Sequence, residues 1–157
     1  MSPEPHERAN DVPWPPLLYV AAAAGALALE RLTPVAWFGR TWSLTLIGGV
    51  IALAGFAVAS AAITQFRRAR TPVSPTGRAA THVSSGVYGR TRNPMYLGMS
   101  LAYFGVGLAL GSEWLVVLAC VMPVLLQKLA VEPEERHLEA RFGDEWRAYA
   151  ARARRWL

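Results

Sequence analysis

Apolar residues along this chain gather into four blocks, Leu17–Leu29, Trp42–Phe66, Met95–Gly111 and Trp114–Val131, and the charged residues lie almost wholly between and after them. A helix needs about 20 residues to cross the hydrocarbon core of a bilayer, fewer where its ends snorkel or the membrane thins. Trp42–Phe66 reaches that length unaided. The other three reach it through flanking Trp, Tyr, Lys and Arg, whose apolar stems extend a helix into the interface. Four such blocks leave too little polar surface to cover them in water. The pattern therefore predicts an all-α, polytopic membrane protein with about four transmembrane helices. Helices three and four should form a tight hairpin, since little more than "SEW" separates them.

After the fourth block the pattern changes period. Pro133 fits a helix start, and Glu134 and Glu135 complement the positive end of a helix dipole. At about 100° per residue, Leu138, Phe142, Trp146, Tyr149 and Ala153 fall on one narrow stripe, which predicts a C-terminal amphipathic helix on the membrane surface or packed against the bundle. The organisation expected is one membrane-embedded domain: scaffold helices over 1–66, a cytoplasmic loop over 67–94, the hairpin over 95–131 and the amphipathic helix over 132–157. The scaffold half is rich in Ala, Gly and Ser, which lets helices approach closely in lipid, and no residue in it demands a chemical role. Arg8 is outnumbered by Glu4, Glu7 and Asp11 before the first block, so that block reads as a mature helix rather than a cleaved signal.

Composition sharpens this picture in two respects. The chain is 53% hydrophobic and 17% charged, with a formal net charge of +5. Arg67, Arg68, Arg70, Arg78, Arg90 and Arg92 lie between the second and third blocks with no acid among them, which places that loop in the cytoplasm and, for an even number of spans, both termini with it. Topology and anionic headgroups account for the basic surplus, so no nucleic-acid partner is called for. Cys120 is the single cysteine; it excludes an intramolecular disulfide and reads as a small packing residue. No His, Cys, Asp or Glu cluster has metal-ligand spacing, and neither a P-loop nor a GxGxxG run occurs, so no metal site is expected.

The chemistry concentrates in "GVYGRTRNPMYLG", residues 86–98. Taken singly its residues are structural: Asn93 is a good N-cap, Pro94 suits the first helical position, Gly86 and Gly89 permit turns, and Tyr88 and Tyr96 suit an interface. Together they converge a helix N-terminus and two tyrosines, which offer a stacking face and hydroxyls. Glu135 falls on the apolar stripe of the last helix, with Glu134 at its edge. A carboxylate facing inward needs a partner. Two are open: a loop arginine such as Arg90 or Arg92, or a ligand's ammonium group or ribose hydroxyls.

The run "THVSSGVYGRTRNPMYLG", followed about 40 residues later by "EERHLEARFGDEWRAY", resembles the integral-membrane methyltransferases of the isoprenylcysteine carboxyl methyltransferase family, relatives of the phospholipid N-methyltransferases. The resemblance covers residues 81 to 157. It implies an S-adenosyl-L-methionine site built from the loop, the cytoplasmic end of the third helix and the start of the last helix. By motif position His82 and Val83 match loop backbone contacts, and Tyr88 the aromatic of the Gly-x-Tyr turn. Asn93, Pro94, Met95 and Tyr96 match the Arg-His-Pro-x-Tyr segment, and Glu134 and Glu135 the acidic pair.

Asn93 stands where the eukaryotic enzymes have His. Ala130 stands where they have an Arg implicated in handling the substrate. The implied reaction is methylation of a lipophilic or prenylated small molecule or a lipid at the membrane–cytoplasm boundary, with Glu135 or Tyr96 as candidates for taking a proton. Two other readings remain: an NADPH-dependent enzyme like the sterol reductases, and a non-catalytic lipid-binding or assembly protein. The methyl acceptor and the oligomeric state are not legible.

Overall fold

The computed structural model describes residues 14–69 and 85–157. His82 and Val83, and most of the loop expected over 67–94, lie outside the described residues. The described chain runs α1 (Trp14–Leu32), α2 (Trp42–Arg68), a short 3-10 turn (Gly86–Gly89), α3 (Pro94–Leu110), α4 (Glu113–Leu126), a π turn (Gln127–Val131), α5 (Glu132–Phe142) and α6 (Asp144–Ala150). Among the described residues there is no strand, only one isolated backbone bridge between Thr91 and Arg154.

Each helix terminus has a local cause. Pro34 follows two residues beyond the end of α1. Thr41 caps α2, its hydroxyl accepting the Leu44 N–H at 3.2 Å, and Arg67 and Arg68 close it at the negative end of the dipole. Pro94 opens α3 at its first position. Gly111, at φ 68°, ends it, and the Gly111 and Ser112 N–H groups fold back onto the Leu108 and Gly107 carbonyls. Ser112 then caps α4 by accepting the Leu115 N–H at 3.2 Å, so the α3–α4 hairpin turns on Gly111 and Ser112 alone.

Packing between α2 and α3 is the most extensive in the fold and is made of backbone. Small residues recur on facing sides, Gly48, Ala52, Gly55 and Ala59 on α2 against Gly98, Ala102, Gly105 and Ala109 on α3. A Cβ placed on Gly48 would stand 2.5 Å from the Gly105 carbonyl oxygen, and one on Gly98 2.5 Å from the Ala59 nitrogen. Such contact lets antiparallel helices gain dispersion energy without any hydrophobic drive, the situation met in lipid.

From α4 to α5 the helix is unbroken over Glu113–Phe142. Its 30 residues measure about 45 Å at 1.5 Å each, longer than a hydrocarbon core of about 30 Å. The residues from Glu132 onward, mostly charged, therefore project from the apolar part. Pro133 brings no N–H to the ladder, and the turn just before it widens so that the Glu132 N–H reaches the Gln127 carbonyl. The main core cluster, Tyr19, Tyr96, Met122, Leu126, Ala130 and Val131, sits where α1, α3 and this rod meet.

Two described helices, Trp42–Arg68 and Glu113–Phe142, are long and apolar enough to cross a membrane, and Pro94–Leu110 is apolar but shorter. Large apolar side chains stand exposed on α1 (Leu17, Val20, Leu27), α2 (Leu46, Ile47, Val50, Leu53, Phe56) and α4 (Val121, Val124, Leu125). Exposed apolar surface on this scale is a liability in water and the normal outer face of a protein in lipid.

Three sequence expectations are corrected. Cys120 is exposed rather than packed, because it turns outward from α4. The helix expected over 132–157 stops at Gly143, φ 52°, restarts as α6 and ends at Ala150. The side chain of Asn93 does not cap α3; it is drawn to the C-terminal tail instead. The stripe survives the break: Trp146, Tyr149 and Ala153 are buried together, with Leu138 and Phe142 packed against them.

Candidate functional site

The expected site residues that lie in the described chain come from two places, the N-terminal end of α3 with the 3-10 turn before it, and the first turn of α5. Gly86 begins that turn at φ 59°, where a Cβ would collide with the Gln65 amide of α2. The turn delivers Tyr88 into a buried position with its ring edge-on to Phe66 at 5.2 Å. Its carbonyl accepts the Tyr149 hydroxyl at 2.8 Å. Burial pushes the Tyr149 hydroxyl up to about 12, with the Arg92 charge pulling it back and Glu135 pushing it further. Burial raises Tyr88 as well, with Tyr149 and Glu134 adding to it. Both phenols therefore stay protonated at neutral pH, and that of Tyr149 serves as a donor.

Tyr96, one turn into α3, is 4% exposed. Its hydroxyl donates to Glu134 Oε1 at 2.7 Å across 38 residues of sequence. The two meet by geometry that the hairpin imposes. Tyr96 lies about 22 Å along α3 from the Gly111 turn and Glu134 about 33 Å along the rod, at 1.5 Å per residue. Side chains on a helix lean toward its N-terminus. On α3 that direction is outward from the turn and on the rod it is back toward it, so the two side chains lean together and close an offset of about 11 Å. Tyr19 supports the arrangement from α1. Its hydroxyl lies 3.0 Å from Ser100 Oγ and donates to the Tyr96 carbonyl at 3.3 Å.

The two acids of the pair part company. Glu134 is half-buried against Tyr96 and has no cationic partner among the described residues. Glu135, its side chain 14% exposed, is gripped by Arg155, whose Nε donates to Oε1 at 3.1 Å and Nη2 to Oε2 at 2.7 Å. Arg92 stands 3.5 Å from the same carboxylate. The hydrogen bond it donates to Glu135 is the main reason the Arg155 guanidinium is held above its ordinary value. Of the two loop arginines named as examples of a partner, Arg92 stands beside Glu135 and Arg90 is not among its ion-pair partners, and the stronger grip comes from a residue the sequence did not single out.

Arg155 belongs to a tail that crosses the N-terminus of α3. Arg92 N–H donates to the Arg154 carbonyl at 2.8 Å. The Arg155 carbonyl accepts both Thr91 Oγ1 at 3.2 Å and Asn93 Nδ2 at 3.0 Å. Trp156 Nε1 donates to Gln127 Oε1 on the π turn at 3.2 Å. Pro94 is fully buried beneath this crossing and Met95 packs against the main core cluster. A cleft of about 440 Å³ opens beside it, lined by Arg92, Glu135, Arg136, Trp146, Arg147 and Arg155 among others; Tyr96 and Glu134 are not among its lining residues.

Tyr19 and Arg155 were missed because their signals were ambiguous. Tyr19 sits at the edge of an apolar block, where a tyrosine reads as an interfacial anchor. Arg155 sits in "RARRWL", where an arginine reads as topology.

The sequence model of the phospholipid methyltransferase family matches residues 44–145. A protein of Haemophilus influenzae with no characterised role is 37% identical over 65 residues, 40% of this chain and the whole of that protein. Among solved structures, the fold resembles that of a eukaryotic intramembrane Ras methyltransferase, isoprenylcysteine carboxyl methyltransferase. The TM-score is 0.67 at 17% identity, covering 94% of this chain and 53% of that one, so this chain spans about half of its length.

Proposed function

Because the chain belongs to the phospholipid methyltransferase family, we propose that it transfers a methyl group from S-adenosyl-L-methionine to a lipophilic acceptor at the membrane–cytoplasm boundary. The acceptor class is a lipid or a prenylated small molecule. Four helices, α1 to α4, span the bilayer in this reading, and both termini and the loop between α2 and α3 face the cytoplasm.

The observation that carries the reading is the Tyr96–Glu134 pair. A half-buried carboxylate holding one hydrogen bond and no cation among the described residues is costly unless something positive completes it. The ammonium end of S-adenosyl-L-methionine has the right charge, which is the fit expected of a cofactor site. Glu134 would hold that end, with Tyr96 fixing the carboxylate's orientation. Asn93, Pro94 and Met95 would form the floor at the α3 N-terminus, Tyr88 would offer its ring, and His82 and Val83 would contribute loop backbone.

When bound, the cofactor supplies an electrophilic methyl group. The protein's part is alignment and exclusion of water, an effect that can lower a barrier by roughly 7–11 kcal/mol. Val131, Leu126 and Met122, all nearly or wholly buried, keep the membrane side of the site dry. An acceptor that is already a carboxylate needs no base. For an amine or hydroxyl acceptor, Glu135 is already held by Arg155 and Arg92, which makes it the poorer candidate of the two for taking the proton.

Thermal unfolding of the purified protein with S-adenosylhomocysteine, with NADPH and with neither tests the reading. Ligand at 100 times its dissociation constant stabilises by roughly 2.7 kcal/mol, so S-adenosylhomocysteine raises the melting temperature and NADPH leaves it unchanged. A shift with NADPH alone would sink the proposal in favour of a reductase.

A further inference from the structure

We infer that Arg155 is a positioning residue that joins the two walls of the proposed cofactor site, its side chain holding Glu135 of the acidic pair and its carbonyl holding the start of α3. The inference rests on the methyltransferase reading above and assigns a task to a segment that reading leaves idle.

The two walls are far apart in sequence, and the described chain connects them directly at few points. One wall is Thr91–Tyr96, the other Glu134 and Glu135. Arg155 touches both. Its guanidinium meets Glu135 with two nearly parallel bonds, at 3.1 and 2.7 Å, the geometry that fixes a carboxylate's rotation as well as its place. Its carbonyl, on the other side of the same residue, receives Thr91 Oγ1 and Asn93 Nδ2. The neighbouring residues add the Arg92–Arg154 backbone bond on one side and the Trp156–Gln127 bond on the other. A lysine has a point charge and cannot reproduce the forked contact.

The consequence falls on Glu134. Adjacent residues on a helix point about 100° apart. The rod sets Glu134 facing Tyr96, and tying Glu135 to the tail steadies this turn in that rotation. Without the tie, Glu135 would keep, among the described residues, only Arg92 at 3.5 Å. Arg155 touches neither Tyr96 nor Glu134, so it acts through the acid it holds. Glu135 then serves as the anchor of the pair and Glu134 as its ligand-facing member.

The test is the dissociation constant of S-adenosylhomocysteine, measured by calorimetry on detergent-purified protein, beside the melting temperature of each ligand-free variant. Arg155→Ala should weaken binding at least ten-fold and Arg155→Lys about three-fold. Arg152→Ala removes an equal charge from the same tail, where the Arg152 Nε reaches, among the described residues, only the Ala148 carbonyl; it should bind as the wild type does. Arg155→Ala combined with Glu135→Gln should lose no more than the weaker single variant, because both break one contact.

Wild-type binding by Arg155→Ala, additive losses in the double variant, or an equal loss in Arg152→Ala would each overturn the inference while leaving the methyltransferase reading intact. Should Arg155→Ala fail to fold, Arg155→Lys and Glu135→Gln carry the test, and wild-type affinity in both overturns it. A wild-type protein that does not bind S-adenosylhomocysteine defeats the functional reading itself, and this inference with it.

Discussion

The α2–α3 interface and the junction of α3, α5 and the tail hold the same helix by opposite means. Along its length α3 meets α2 through glycine and alanine, with backbone nearly touching backbone. At its N-terminus it meets α5 and the tail through Tyr96–Glu134, Asn93–Arg155 and Arg92–Arg154, all directional hydrogen bonds. The first kind of contact tolerates no added volume and needs no particular polar group. The second tolerates small changes of volume but depends on individual atoms. A scaffold in lipid can be built by shape alone, whereas a site that must receive a charged ligand needs polar groups whose orientation is fixed from outside.

The largest expected effect breaks the first region. Gly98→Leu should cost on the order of 3 kcal/mol, because its Cβ would stand 2.5 Å from the Ala59 nitrogen. Gly49→Leu, one position off the contact face with nothing within 4 Å of its Cβ, should leave the melting temperature nearly unchanged. Equal losses in the two would mean that shape is not what holds α2 to α3.

Glu134→Ala separates the regions. It removes the proposed contact with the ligand's ammonium group, a charge-assisted hydrogen bond worth about 1.5–3 kcal/mol, and that loss should appear as a ten-fold or greater weakening of S-adenosylhomocysteine binding. The ligand-free melting temperature should hold or rise, since a poorly compensated carboxylate leaves the interior. A fall in melting temperature with unchanged affinity would make Glu134 structural.

Smaller effects belong to the aromatic support. Tyr149→Phe gives up the 2.8 Å bond to the Tyr88 carbonyl and should cost about 1 kcal/mol. Because the folded protein holds the Tyr149 hydroxyl at about 12, above its ordinary value near 10, its contribution is complete below about pH 10 and fades as the pH climbs toward 12. The wild-type melting temperature should therefore drop across that window more steeply than that of Tyr149→Phe, and identical profiles would contradict it. Smallest of all is Arg147→Ala, whose exposed pairs with Glu139 and Asp144 should be worth less than about 0.5 kcal/mol in chemical denaturation.

The same contrast explains what could be read from the sequence. Shape-built regions repeat, and repetition is visible: the four apolar blocks became α1 to α4 nearly at their edges, and Pro94 and Gly111 stand at the ends of α3. The stripe from Leu138 to Ala153 also came together, although Gly143 divides the helix that was expected to carry it.

Directional contacts leave no period. Tyr19 finds Ser100 across 81 residues and Arg155 finds Glu135 across 20. Glu113, read as part of a short link, is buried and accepts the Gly39 N–H at 3.0 Å. Of the acidic pair, the sequence showed that Glu135 wanted a partner, but only the folded tail shows which. Ala130, wholly buried in the main core, shows why an Arg at that position would require a different neighbourhood.

The rod from Glu113 to Phe142 keeps count. With no loop between the Ser112 cap and Glu134 to absorb a change of length, one inserted or deleted residue would swing the carboxylate by about 100° and slide it about 1.5 Å, away from the phenol it meets. Length variation among functional relatives should therefore be absent from this stretch and free to accumulate elsewhere. The widened turn at Gln127–Val131 lies within this counted stretch, so restoring it to a regular α turn would shift Glu134 by the same single step.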